Sequence, residues 1–499
     1  MRVDVVAAPV RYPRGPLLLL LIIAIVPAIA LLVLHQWAQA EADEYDDSRG
    51  AVADVGGPNE PGSAPPALVT PVVDFRRTPE SNADQASSNR LRQELRSLWQ
   101  FVDDNSCGAV SVDGLDVGDK NPSVEVLPAS NQKLLTGAVA LHELGEDHRF
   151  VTEVRGPRQR QGVIEGDVYL VGGGDPLLTT DDFALEGELL PAFNTTSLDV
   201  LADRVVAKGV TSINGAVLGD GSRYDDEYSV DSWAPGDYLT QAGPYDALMV
   251  NDSYRVGISG KQSDPVDAAA EEFVRLLEAR GVTVADGAGT GVAPDSLRLL
   301  GRVTSQPLTA IVEELLVNSD NNTAELLLKE IGYAARGQGT RVAGLNVVDS
   351  TLRNWGVPME GVRSLDGSGL SLDNSVTCAA ILSILQRHTD GVLPDLLPVA
   401  GRTGTLTLEF TESPMAGRLA AKTGTLYNEP IEEDPLSSKA LGGYVPAPRR
   451  STIEFVLILN TPDAAFDRNF APLWQQLGTV LDTYPSGPGP ARLGPRTAQ

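Results

Sequence analysis

Three short polar motifs, in a set order and each in a different local setting, constrain this chain more than any other feature. Ser130-Asn131-Gln132-Lys133 follows Pro128-Ala129 and opens an apolar helical pattern through Leu134, Leu135, Ala138, Val139 and Leu141. Pro128 fits the approach to a helix start and puts Ser130 near the first turn. Positions i and i+3 share one helix face, so Lys133 lies beside Ser130. A serine hydroxyl needs an adjacent base to act as a nucleophile. A lysine serves when burial and nearby positive charge lower its pKa. Ser319-Asp320-Asn321 is a polar break between two apolar helical stretches, where a hydroxyl and a carboxamide can face one cleft. Lys422-Thr423-Gly424-Thr425 sits on a strand. Its cation and hydroxyls suit a carboxylate, its glycine permits close backbone approach, and an edge strand can pair with a peptide. Taken singly, each pattern is commonplace: a helix surface or cap, an Asn/Asp-rich turn, a strand end. Together and in order, they ask for a fold that gathers a helix start, an inter-helix loop and a strand around one cleft.

The chain between the first two motifs has a different character. Val168-Tyr169-Leu170-Val171 runs into the turn Gly172-Gly173-Gly174-Asp175-Pro176, and Ile213 to Asp220 reads as another strand closed by a turn. A helix is predicted near Val266 to Arg280, before Gly281-Val282-Thr283-Val284. Outside this region the periodicity predicts helices near Leu91 to Trp99, Leu308 to Leu316, Val376 to Leu385 and Phe470 to Leu481. It predicts strands at Gly108–Val112, Val124–Leu127, Gly417–Lys422, Ala440–Val445 and Ile453–Leu459. The chain therefore divides into a membrane or signal segment (1–40), a Pro/Gly/acidic tether expected to be disordered (41–89), a first body segment (90–150), an inserted β-rich domain (151–300), a second body segment (301–483) and a loose tail (484–499).

The N-terminus reads as an export signal. Leu17 to Leu34 is an apolar run broken only by Pro27, with Arg11 and Arg14 before it and acidic residues after. Its length suits a bilayer span, and its basic flank predicts the N-terminus inside and the rest outside. Ala38-Gln39-Ala40 resembles a signal-peptidase site, so a cleaved signal and a retained anchor both stand. The net charge of −28 argues against a nucleic-acid partner. The two cysteines, Cys107 and Cys378, form no CxxC, and the four histidines form no HExxH, so no metal site is expected. Whether the cysteines pair is left open, because bridging needs a Cα separation that spacing does not give.

The motif set is the one found in penicillin-binding proteins and β-lactamases. The surrounding text resembles the low-molecular-mass class C penicillin-binding proteins, the D-alanyl-D-alanine carboxypeptidase/endopeptidase family. Leu127–Thr136, Gly166–Leu170 with Gly172–Pro176, Asn214–Asp220, Ser319–Glu325, Asp366–Ser371, Ala421–Leu426 and Leu441–Val445 carry the likeness, which runs from about Leu91 to Leu481. The resemblance implies an α/β (α+β) transpeptidase-like domain of the DD-peptidase/β-lactamase type. It would have a five-stranded antiparallel sheet, a helical subdomain and an inserted mostly-β domain. The short run from Asn251 to Pro265 implies that any further domain nested in the insert is reduced or absent. The resemblance implies catalysis by Ser130, Lys133, Ser319 and Asn321, and substrate binding by Lys422, Thr423, Gly424 and Thr425. It implies no cofactor, peptidoglycan stem peptides as substrate, β-lactams as covalent inhibitors, and extracytoplasmic work from a membrane anchor or after secretion. The alternatives are a β-lactamase and a non-catalytic cell-wall or β-lactam-binding protein. No Glu-x-x-Leu-Asn follows Ser319, which disfavours the first. Gly401-Arg402-Thr403-Gly404-Thr405 imitates the third motif and is read as outside the site. An acidic loop, 427–439, departs from the family pattern.

Overall fold

The computed structural model describes residues 79–490 except 184–189, 235, 429–433 and 435. The Leu17–Leu34 run, Ala38-Gln39-Ala40, the tether up to residue 78, the loop residues Glu429, Glu432 and Glu433, and the tail from 491 lie outside the described residues. Among the described residues, no helix is long and apolar enough to cross a membrane.

The body begins earlier than the periodicity predicts. Helix α1 (Pro79–Leu98) takes in the last eleven residues of the expected tether. Ala83, Ser87, Leu91, Leu95 and Leu98 recur every three or four residues and are all buried. Two members of that stripe are small or polar, so composition alone hides it. Trp99 follows and lies so close over Gly108 that a β-carbon there would stand 2.6 Å from the indole ring. Strands β1 (Cys107–Val112) and β2 (Leu115–Lys120) come next, then α2 (Gln132–Leu144). The predicted strand at Val124–Leu127 is not one. Only Val126 bridges, to Val376, while the Leu127 N–H donates to Asn460 Oδ1, and prolines at 122 and 128 flank the stretch.

Residues 151–304 build sheets of their own. They run β3 (Val151–Gly156), β4 (Val163–Glu165), β5 (Val168–Val171), the short pair β6 (Leu178–Thr179) and β7 (Thr196–Ser197), α3 (Leu198–Ala207), β8 (Ser212–Asn214) and β9 (Val217–Asp220). After a long excursion come α4 (Pro265–Ala279), β10 (Thr283–Val284), β11 (Ala288–Thr290) and β12 (Arg298–Thr304). One sheet has the order β11-β9-β5-β3-β12, a second β10-β8-β4. Leu201, Val205, Phe273 and Leu277 of the two helices pack on Leu170, Ile213 and Val217 in a separate core. From Asn251 to Asp264 there is a single 3-10 turn and a loop, with no further domain among the described residues.

The chain then returns through α5 (Leu308–Asn318), α6 (Asn321–Arg336), α7 (Arg341–Asn354) and α8 (Cys378–Arg387) to β13 (Ala420–Leu426), β14 (Ser437–Pro446), β15 (Thr452–Thr461) and α9 (Ala471–Leu481). Strands β13-β14-β15-β1-β2 form the expected five-stranded antiparallel sheet. Both faces are covered. Leu134, Leu135, Leu315, Ile381 and Leu385 lie on one side and Leu91, Leu95, Phe410, Trp474 and Leu477 on the other. That is why β15 buries eight consecutive residues and reads as an almost continuous apolar run. A disulfide joins Cys107 on β1 to Cys378 at the start of α8 across a 5.9 Å Cα separation, which settles the open pairing.

Candidate active site

Ser130 sits in a 3-10 turn, Ala129–Asn131, that runs directly into α2. Ala129 holds a left-handed φ of 45°, an uncommon conformation for a residue with a β-carbon. Two glycines clamp this turn. Gly369, at φ 90°, lies so near the Ala129 carbonyl oxygen that any side chain would overlap it. On the other side, a β-carbon at Gly424 of β13 would stand 3.0 Å from the Pro128 carbonyl oxygen. Ser130 is left half-buried and reachable, while its neighbours are enclosed.

Lys133 projects from the first turn of α2 and is fully buried. Its Nζ donates to Ser130 Oγ at 3.1 Å, to Asn321 Oδ1 at 2.6 Å and to the Ser368 carbonyl at 2.8 Å. Three acceptors match the three protons of an ammonium. Burial pulls its pKa down to about 8, against the opposing pull of Asp320, Asp366 and Glu325. A buried amine poised near neutrality, touching a reachable hydroxyl, is equipped to take that hydroxyl's proton.

The second motif is placed by a helix break. Helix α5 ends at Ser319 in the left-handed region, and α6 begins at Asn321 with Asp320 accepting from the Thr323 N–H. Asn321 divides its carboxamide. Oδ1 takes the lysine, while Nδ2 donates to the Gln241 carbonyl at 2.8 Å, on a loop of the excursion between β9 and α4. Ser319 is half-buried and makes no side-chain hydrogen bond among the described residues.

The third motif lies on β13, an edge strand of the sheet. Lys422 has no exposed surface, and its Nζ donates to the Thr423 carbonyl at 2.8 Å. Burial, with the positive charges of Lys133 and Lys439, holds its pKa well below the usual lysine range. Thr423 Oγ1 hydrogen-bonds Thr405 Oγ1 at 2.8 Å, and Thr425 Oγ1 accepts from Lys439 Nζ at 2.8 Å. The segment that imitates the third motif thus touches it. Gly404 abuts the Val317 carbonyl at the end of α5, which sets Thr405 against β13.

Asp366–Ser371, one of the segments that carry the family likeness, has a task that spacing does not reveal. Asp366 is buried and accepts from Gly369 N, Ser371 N, Asn374 Nδ2 and Trp233 Nε1 at 2.7–2.9 Å. Glu325 accepts from Gly367 N and Ser368 N, and Thr136 Oγ1 donates to Gly367 O. These bonds hold the Ser368 carbonyl at Lys133. Burial and the neighbouring Asp366 raise the Glu325 pKa to about 7. The signal was a pair of acidic residues in otherwise small, polar text, which spacing alone does not connect. Among the described residues, no group of three His, Cys, Asp or Glu side chains is arranged to hold a metal ion.

Residues 112–256 and 249–476 match the family described as D-Ala-D-Ala carboxypeptidase 3 (S13). The chain is 28% identical to a D-alanyl-D-alanine carboxypeptidase of Actinomadura sp. (strain R39), covering 74% of this chain and 80% of that protein. It is 27% identical to carboxypeptidase DacB of Mycolicibacterium smegmatis, covering 91% and 94%. In fold it is similar to penicillin binding protein 4 (dacB) from Haemophilus influenzae, with a TM-score of 0.63 at 20% identity over 78% of this chain and 98% of that one. The chain belongs to the D-Ala-D-Ala carboxypeptidase 3 (S13) family and is a serine-type D-Ala-D-Ala carboxypeptidase.

Proposed function

We propose that Ser130 is the acylated nucleophile of this peptidase and that its substrates are peptidoglycan stem peptides. The observation that carries the assignment is the 3.1 Å contact between the half-buried Ser130 Oγ and a fully buried Lys133. With its pKa near 8, about a tenth of Lys133 is the neutral amine at pH 7. That amine takes the Ser130 proton as Oγ attacks the carbonyl between two D-alanines. The backbone N–H groups of Ser130 and Thr425 receive the oxyanion, each contributing about 3 kcal/mol. Ser319, which has no side-chain partner among the described residues, relays the proton to the leaving amine as the C–N bond breaks. Free D-alanine departs, water attacks the ester, and Ser130 regains its proton. Asn321 aligns the lysine, and Thr423 and Thr425 bind the terminal carboxylate while Lys422 and Gly424 shape the strand beneath them. β-Lactams acylate Ser130 by the same route. The enzyme works outside the cytoplasm, tethered by the Leu17–Leu34 segment or released after its removal.

Intact-mass and peptide mapping after benzylpenicillin treatment test this. One penicilloyl adduct on Ser130, long-lived and absent from Ser130→Ala, is expected. Rapid penicillin turnover, or full D-alanine release by Ser130→Ala, overturns it.

A further inference from the structure

A carboxylate bound at β13 needs a cation that can touch it, and Lys422 does not meet that need. It is wholly buried, with its Nζ donating to the Thr423 carbonyl. Side chains alternate along a strand, so Lys422 points to one face of the sheet and Thr423 and Thr425 to the other. Thr425 pairs in register with Lys439 of β14, and cross-strand partners share a face. Lys439 Nζ is 2.8 Å from Thr425 Oγ1, so the threonine's own proton is free to be donated outward. The ammonium lies 4.2 Å from the centre of the Phe470 ring and 5.3 Å from that of Trp474, a shelf that holds a cation in place. Among the described residues no carboxylate pairs with it. Glu409, the acidic side chain that acts on its charge, is gripped in bidentate fashion by Arg468 at 2.7–2.9 Å. Lys439 is only half-buried. In a chain of net charge −28, a steadied cation beside the substrate strand, with no ion-pair partner among the described residues, calls for an anion.

We propose that Lys439 is a substrate-binding residue, whose ammonium takes the terminal carboxylate of the leaving D-alanine together with the Thr425 hydroxyl. This rests on the reading of β13 as the substrate strand. Burial lowers the Lys439 pKa to about 8, and an arriving carboxylate favours its charged form.

The test compares kcat/KM for a diacyl-lysyl-D-alanyl-D-alanine peptide with that for the same peptide amidated at its C-terminus. The acid-to-amide ratio is independent of the fraction of active enzyme, so partial misfolding does not imitate the effect. Lys439→Gln keeps the stem and a donor to Thr425, and Lys439→Met keeps only the stem. Both are expected to lower the ratio about tenfold or more, mainly through KM, as a lost charge-assisted contact does. An unchanged ratio in either folded variant, or a wild type that does not prefer the acid, overturns the role of Lys439. A wild type that cleaves neither peptide and is not acylated by benzylpenicillin overturns the functional reading itself.

Discussion

Lys133 and Asn321, separated by 188 positions in the chain, meet with Nζ donating to Oδ1 at 2.6 Å. The bond joins the helix that carries Ser130 to the helix that begins after the α5 break. Replacing Asn321 by Ala leaves a buried ammonium short of one acceptor, a cost of about 3 kcal/mol. If the transition state bears that cost, kcat/KM for D-alanine release falls about a hundredfold or more. The melting temperature should fall by only a few degrees, since Asn321 lies at a helix end and is half-buried.

The proposed role of Lys133 as the base predicts a pH dependence. The amine must be neutral to accept the Ser130 proton, and burial lowers its pKa to about 8. Acylation by benzylpenicillin is therefore expected to accelerate as pH rises from 6 and to level off above about 8. The Asp320 carboxylate stabilises the charged lysine, so Asp320→Asn, which keeps the helix cap, should move that inflection to lower pH. Stopped-flow acylation rates across pH 6–9 check both directions.

Gly369 predicts a sharp steric effect. At φ 90°, with the Ala129 carbonyl where its side chain would be, Gly369→Ala must displace the turn that carries Ser130. Penicillin acylation is expected to fall at least a hundredfold. Gly114, at φ 75° but with open space around it, is the control. Gly114→Ala should cost about 1 kcal/mol of stability, read as a small drop in melting temperature, and leave acylation intact.

Asp175 links stability to pH. It is 3% exposed, and burial raises its pKa from the ordinary carboxylate range to about 6. The folded state thus holds the proton more tightly than the unfolded one. Its favourable contribution is complete below about pH 4 and is lost as pH rises through about 6. Asp175→Asn cannot ionise, so its melting temperature relative to wild type should climb by several degrees from pH 4 to pH 8. A constant difference would contradict the assignment.

The disulfide makes a plain stability prediction. Closing 271 residues of chain contributes up to about 5 kcal/mol in the chain-entropy account. Reduction, or the Cys107→Ala/Cys378→Ala pair, should lower the melting temperature markedly. Acylation of the protein that remains folded should be unchanged, because neither sulfur touches the Ser130 cluster.

The candidate site was legible in the sequence wherever it depends on neighbours within a turn or along a strand. Ser130 and Lys133 share a helix face because of their spacing alone, and the polar break at 319–321 separates two helices because the apolar periodicity stops there. The central strands showed through for the same local reason. What depends on chain path was decided only by the tertiary structure. Composition hid the first three turns of α1, whose stripe is completed by Ala83 and Ser87 only once Gly487, from the far end of the chain, lies against them. The Cys107–Cys378 pairing, the contact of Thr405 with Thr423, the clamp of Gly369 on Ala129 and the seat of Lys439 all join segments far apart in the chain. Spacing carries no information about such meetings. Burial is likewise a property of the packed whole, and it is burial that turns Lys133 from an ordinary surface cation into an amine able to lose its proton near neutral pH.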